Sequence, residues 1–306
     1  IGRCIAWLEK GLRRLMALDR GARLKVRLIG FLFPLVIAGG TYGLVWEITD
    51  FCYRWSRMAG VVSEMILIWL TIAPKGLAAA GNRIYRALME GDTEKARREL
   101  AMVVGRDTEH LGRAEIVRGG VETVAENIVD AVISPLFYAV IGGAPLAFAY
   151  RAVNTLDAMV GYRNERYIDL GWASARLDDL ANWLPARLTV IPMLMAALFL
   201  RLHPRSAWRV VRRDAHLHPS PNSGIPESLM AGALQIQLGG INYYQGQVSV
   251  RALLGDPLQQ KTPLHLQLAV RMMWWTTALS IIGFCGMVLI WENLCFSSCM
   301  FFLFSG

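Results

Sequence analysis

Five apolar stretches, at roughly 28–49, 61–80, 128–150, 183–201 and 270–291, constrain this chain more than any other feature. A helix needs about 20 residues to cross a hydrocarbon core, and most of these stretches are long enough. Helices also keep every backbone hydrogen bond internal, so they are the natural spanning element for such segments. The sequence therefore predicts an all-α, polytopic integral membrane protein. A mean hydropathy of +0.36, with 54% hydrophobic residues, points the same way. The alternative, a large soluble protein with buried helices, fits that average less well. The first stretch lies too far into the chain and runs too long for a signal-peptide core. The chain opens on Ile1 rather than Met, so a short preceding piece is expected.

Charge location orients these segments. Residues 1–27 hold eight Lys or Arg and residues 81–127 hold eight more. Connector 50–60 has only Arg54 and Arg57, and nothing basic follows residue 291. The positive-inside rule places the N-terminus and 81–127 in the cytoplasm and the C-terminus outside. The basic N-terminal helix also suits an anionic leaflet. Such flanks are usual for membrane proteins, so nucleic acid is not an expected partner. The five cysteines form no CxxC pair, so they suggest neither a zinc site nor a disulfide framework.

No internal repeat or low-complexity linker divides residues 1–306, which read as one membrane domain. Between the apolar stretches lie three polar segments, 81–127, 151–182 and 202–267. The first reads as helical, with an Asp92 or Thr93 cap and Glu94 in the first turn. The third contains "HPSPNSGIPES", an ordered loop ahead of a helix. Strand signals are few.

The polar segments carry the candidate chemistry. Glu122, Glu126 and Asp130 recur every four residues, forming one helical stripe. Such oxygens suit a hard cation such as Mg²⁺. A solvated helix face would explain the stripe alone, but it runs straight into an apolar segment, where ionisable groups are costly and usually functional. Arg106, Asp107, Arg118 and Asn127 lie nearby in the sequence. Arg151, Asn154 and Asp157 follow at i, i+3 and i+6, and Arg176, Asp178, Asp179 and Asn182 come later; internal Arg–Asp pairs would account for about half of these. Asp214, His216 and His218 superficially resemble a metal cluster, but "PSPN" looks built for loop geometry. No Gly directly precedes a Lys, which excludes a G-x-x-x-x-G-K-[ST] nucleotide loop. Neither G-x-S-x-G nor H-E-x-x-H occurs.

The strings "GRDTEHL", "ETVAENIVDAVISPLFYAVIGGAPLAFAYRAVNTLDAMVGYRNERY", "ARLDDLANWLPARL", "RDAHLHPSPNSGIPESLMAGAL" and "LGGINYYQG" occur in that order. Together they resemble the membrane-bound adenosylcobinamide-phosphate synthase family (CbiB/CobD), across roughly residues 1–290. Ala158 stands where the family usually has Ser, and "RGGVET" carries a Gly where Ser, Thr or Ala is usual; neither change removes a charge.

The resemblance implies ATP-dependent amide formation between adenosylcobyric acid and (R)-1-amino-2-propanol or its O-phosphate. ATP and Mg²⁺ are the implied cofactors, and other cobamide-assembly enzymes are implied partners beside the lipid bilayer. A route through an acyl phosphate would need Mg²⁺ and cationic groups around the phosphoryl. On this reading Glu122, Glu126 and Asp130 hold metal, while Asp157, Asp178, Asp179 and His218 serve catalysis. Arg106, Asp107, Arg118, Asn127, Arg151, Asn154, Arg163, Arg176, Asn182, Asp214 and Asn222 bind substrate or phosphate. The rival readings are a transporter of a polar or corrinoid solute and a non-enzymatic membrane sensor.

Cytoplasmic ATP must reach all three polar segments, which five full crossings would forbid. The sequence therefore predicts that 128–150 is re-entrant, turning near Gly142 and Gly143. It also predicts that 183–201, interrupted by Pro185, Arg187 and Pro192, does not cross fully. The site would then face the cytoplasm from a bacterial inner membrane.

Overall fold

The computed structural model describes the backbone of residues 1–17, 23–162 and 164–304, and their side chains except those of 15–17 and 291–304. Arg163 lies outside the described residues. The chain is 75% helical, an all-α membrane fold as expected. It opens with α1 (Gly2–Ala17) and α2 (Arg23–Gly30); a π-helical turn at Pro34–Ala38 leads into α3 (Gly39–Trp55). Helix α4 (Arg57–Thr71) returns beside α3, and α5 (Pro74–Met89) and α6 (Thr93–Ala101) follow. The Asp92 side chain caps α6 by accepting from the Lys95 N–H at 2.8 Å, satisfying one of the unpaired donors at a helix start.

Four helical stretches among the described residues are long and apolar enough to cross a membrane: Arg23–Trp55, Arg57–Met89, Arg113–Val160 and Pro263–Ile290. Their surfaces support that role. Trp55, Met58 and Trp69 are 80, 73 and 71% exposed, an unfavourable arrangement in water and a natural one against lipid.

The stretch Arg113–Val160 is not one crossing. It comprises α7 (Arg113–Ile128), a π-helical turn over Val129–Ile133 and α8 (Ser134–Val160). A straight helix of 48 residues would run about 72 Å, more than twice a bilayer core. Instead α8 breaks at Gly142 (φ −148°, ψ 28°) and Gly143 (φ 65°, ψ −161°). Arg151 Nη1 donates to the Asp130 carbonyl at 3.1 Å, although 21 residues of straight helix would separate them by about 30 Å. The rings of Tyr138 and Tyr150 stack at 5.2 Å. The two arms therefore fold back on each other at the glycine pair, the geometry expected of a re-entrant segment.

Helices α9 (Trp172–Ala181), α10 (Trp183–Leu188) and α11 (Val190–Phe199) form a broken path, bent by 42° between Leu188 and Val190. Helix α12 (Pro204–Asp214) packs on α13 (Gly224–Leu234), and α14 (Pro263–Phe304) completes the chain. The main core joins α5, α7, α11, α12, α13 and α14 through residues such as Ile84, Ile116, Met193 and Leu229. A second cluster, including Ile5, Phe33, Val153 and Leu156, seats the N-terminal elements on the return arm of α8.

One non-helical feature goes beyond the sequence reading. Strands β1 (Leu238–Tyr244) and β2 (Gln247–Leu254) form an antiparallel hairpin, with Leu238 opposite Leu254 and Tyr244 opposite Gln247. Gln245 and Gly246 both have positive φ, the backbone required by a tight two-residue hairpin turn.

Candidate functional site

All three polar segments meet at one cavity of about 340 Å³. The end of α7 and the π-helical turn contribute Glu126 and Asp130, and the return arm of α8 contributes Asp157 and Gly161. Helix α9 supplies Asp178 and Asp179, with Asn182 just beyond its end. The loop ahead of α13 adds His218, Ser220, Asn222 and Ser223, and Arg251 reaches in from β2. The fold-back at Gly142–Gly143 is what brings Asp157 to Glu126, since the two lie on opposite arms.

Hydrogen bonds fix several of these groups. Asn182 is buried and central: its Oδ1 accepts from Ser134 Oγ at 2.5 Å and Tyr150 Oη at 2.8 Å. Its Nδ2 donates to Asp178 Oδ2 at 3.0 Å. Asn154 Nδ2 lies 3.4 Å from Asp178 Oδ1, and Arg151 Nη1 donates to Asn154 Oδ1 at 3.2 Å. Asn222 Nδ2 donates to the Asp179 carbonyl at 2.8 Å, tying the loop to α9. Ser223 Oγ donates to Glu126 Oε1 at 3.3 Å.

His218 is anchored through one ring nitrogen, and the other is buried without a hydrogen-bond partner among the described residues. Its Nδ1 accepts the Ser220 N–H at 3.0 Å, and its Nε2 lies 3.5 Å from Glu227 Oε1. Burial pushes the His218 imidazole below its ordinary value, keeping it neutral. Burial, with Glu126 and Glu122 nearby, holds the Glu227 carboxyl well above the usual carboxylate range.

Other candidates from the sequence lie outside this cavity. Glu122 is buried in an ion pair with Arg106, and its Oε1 accepts the Gly239 N–H at 2.8 Å. Arg118 donates to the carbonyls of Gly239 and Ile241 and pairs with Glu115 at 2.6 Å. Asp107 accepts from the Gln245 and Gly246 N–H groups at 3.0 and 2.8 Å, clamping the hairpin turn. Arg106 and Asp107 also border a separate cavity of about 880 Å³ beside that turn. Asp214 pairs with Arg213 at 2.6 Å and accepts from the Gly255 N–H at 2.8 Å. Asn127 donates to the Thr123 carbonyl one turn earlier, and the exposed Arg176 lies 3.8 Å from Asp179. The stripe of three acids is thus divided: Glu126 and Asp130 line the cavity, while Glu122 braces the hairpin.

Sequence reasoning missed Arg251, Ser220, Ser223 and Glu227. The two serines and Glu227 sit inside "HPSPNSGIPES", so their proximity to His218 was legible. Arg251 was not, because its place depends on the hairpin folding over the helices.

The donor set could supply only part of the shell of a hard cation. Glu126, Asp130, Asp157, Asp178 and Asp179 line the cavity against the single guanidinium of Arg251. Among the described residues no group of three or more His, Cys, Asp or Glu is disposed to hold a metal by itself. Mg²⁺ commonly takes one or two carboxylates and completes its shell with phosphate and water. Glu126 and Asp130, one turn apart, offer that much.

The family model described as CobD/Cbib protein matches residues 1–273. Cobalamin biosynthesis protein CobD of Geobacter metallireducens is 47% identical over 92% of this chain and 86% of its own length. The protein of that name from Clostridium perfringens is 44% identical over 84% and 79%. Cobalamin biosynthesis protein CbiB of Salmonella paratyphi B is 41% identical over 94% and 90%. No solved structure matches the chain. A match extending over most of the sequence, on both arms of the re-entrant hairpin and every wall of the carboxylate cavity, makes this chain a member of the CobD/CbiB family.

Proposed function

We propose that this protein acts in cobalamin biosynthesis as an ATP-dependent ligase, joining the free carboxylate of adenosylcobyric acid to (R)-1-amino-2-propanol or its O-phosphate. The names of its relatives support the pathway. The observation that carries the reaction is the convergence of five carboxylates, Arg251 and a neutral His218 on one cavity.

Bound with Mg²⁺, ATP would supply the phosphoryl group that activates the otherwise unreactive carboxylate, leaving as ADP, and attack by the amine would release that phosphate as the amide forms. Glu126 and Asp130 would hold the metal. Arg251 supplies positive charge where phosphate oxygens gather, a role suited to its forked donors. Asp157, Asp178 and Asp179 attract the ammonium end of the amino alcohol, and one of them accepts its proton before attack. Asn182 and Asn154 keep Asp178 oriented for that task. At about 340 Å³ the cavity lies near the small end of the roughly 300–1,000 Å³ typical of small-molecule pockets. It suits the reacting ends, with the macrocycle outside.

The test is amide formation by the purified protein in lipid nanodiscs, supplied with adenosylcobyric acid, amino alcohol, ATP and Mg²⁺. Product mass and matching ADP release are expected from the native protein. Glu126→Gln should lower turnover at least a hundredfold while the protein remains folded. Product without ATP, or near-native turnover of Glu126→Gln at low Mg²⁺, would refute the assignment.

A further inference from the structure

Helix α12 carries a basic surface that the proposed chemistry does not use. Arg205, Arg209 and Arg212 are exposed at i, i+4 and i+7 and share the outer face, with Arg201 just ahead of the helix. Among the described residues none of these four pairs with a carboxylate, whereas neighbouring Arg213 is engaged by Asp214 and Asp256. The helix's only acid, Asp214, is buried and turned to that pair. Trp208, 47% exposed, lies among the arginines with the Arg212 guanidinium 5.8 Å from its ring.

What surrounds this face decides what it meets. Helix α11 exposes Ile191, Met195 and Leu198 at i, i+4 and i+7, an apolar stripe ending one turn before the arginines begin. Phe199 stacks on Trp275 at 5.2 Å, within the spanning stretch Pro263–Ile290. Beyond α12 the chain again exposes an apolar side chain, Leu217. The basic face is thus bracketed by lipid-compatible surface, and an exposed Trp among arginines is typical of a membrane–water boundary.

We propose that α12 is an interfacial helix whose Arg201, Arg205, Arg209 and Arg212 bind the headgroups of anionic phospholipids in the bilayer the protein occupies. Guanidinium forks match phosphate oxygens in pairs, and the absence of acids on this face leaves their charge available. The inner face of α12 rests on α13 so closely that a Cβ on Gly232 would lie 2.6 Å from Ala207 Cα. Helix α13 begins directly after Ser223, a cavity residue, and carries Glu227. Helix α12 thus backs an element that leads directly from the cavity wall.

The experiment compares the full chain with R205Q/R209Q/R212Q and R205K/R209K/R212K in nanodiscs that mix phosphatidylcholine and phosphatidylglycerol. Lipid retained on the released protein is counted by native mass spectrometry. Each basic residue near an anionic surface contributes about a fivefold preference, so the glutamine variant should lose about a hundredfold of its phosphatidylglycerol enrichment. The lysine variant should keep most of it, and added salt should weaken it in the native chain. All three should melt nearly alike in pure phosphatidylcholine, because these side chains make no ion pair among the described residues and the exposed Arg212–Trp208 contact contributes little. Equal enrichment in native and glutamine proteins would overturn the proposal. So would loss of RNA or acidic-protein binding in the glutamine variant with lipid enrichment intact.

Discussion

Gly143→Ala tests the fold-back on which the site depends. Gly143 has φ 65° and ψ −161°, a region open essentially to glycine alone and costing about 1–3 kcal/mol for other residues. An added Cβ would also lie 2.2 Å from Glu64 Oε1. That carboxylate accepts from Tyr53 Oη at 2.7 Å and from the Ala144 N–H at 3.3 Å, pinning the start of the return arm to α4. Displacing it would forfeit part of a charge-assisted contact worth roughly 1.5–3 kcal/mol. Together the two effects predict destabilisation of about 3–5 kcal/mol, or on the order of 10 °C in melting temperature. Thermal unfolding in nanodiscs measures it. Gly76→Ala is the control: Gly76 lies within α5 and a Cβ there meets nothing within 4 Å, so that change should be neutral or slightly stabilising. Activity of Gly143→Ala should fall with stability, because Arg151, Asn154 and Asp157 all lie on the displaced arm. Equal melting of the two alanine variants would refute the reasoning.

Glu122→Ala should cost about 3–5 kcal/mol, the price of stranding buried Arg106, and be read in melting rather than in Mg²⁺ affinity; unchanged stability with weakened Mg²⁺ dependence would make Glu122 a metal ligand. Glu227 has its folded value raised by burial, so the unfolded chain releases that proton first and stability drains away as pH rises above the ordinary carboxylate range. Glu227→Gln should flatten that decline and melt higher than the native protein at pH 8, as a pH series of melting curves would reveal. A cysteine at exposed Asn164 in a cysteine-free background should escape a membrane-impermeant thiol reagent in intact cells; labelling there would place the 151–182 segment outside and contradict a cytoplasmic site.

What was legible in the sequence was whatever local chemistry dictates. Apolar runs announce membrane helices because an unpaired backbone cannot enter lipid. The pair Gly142–Gly143 inside such a run announced a break because few other residues tolerate that backbone. Four-residue spacing placed Glu126 and Asp130 on one helix face, and "HPSPNSGIPES" announced an ordered loop before a helix. Tertiary structure decided which charges meet. Glu122 shares a helical stripe with Glu126, yet it turns to Arg106 and the Gly239 N–H because the hairpin covers that turn of α7. Arg118 and Asp107 likewise brace the hairpin, whereas Arg251, unremarkable within "QVSVRALL", is carried by it to the cavity. Periodicity specifies the direction of a side chain on its own element but not the element packed opposite. In a buried polar cluster it is the partner across the gap that makes one carboxylate a structural brace and another a wall of the site.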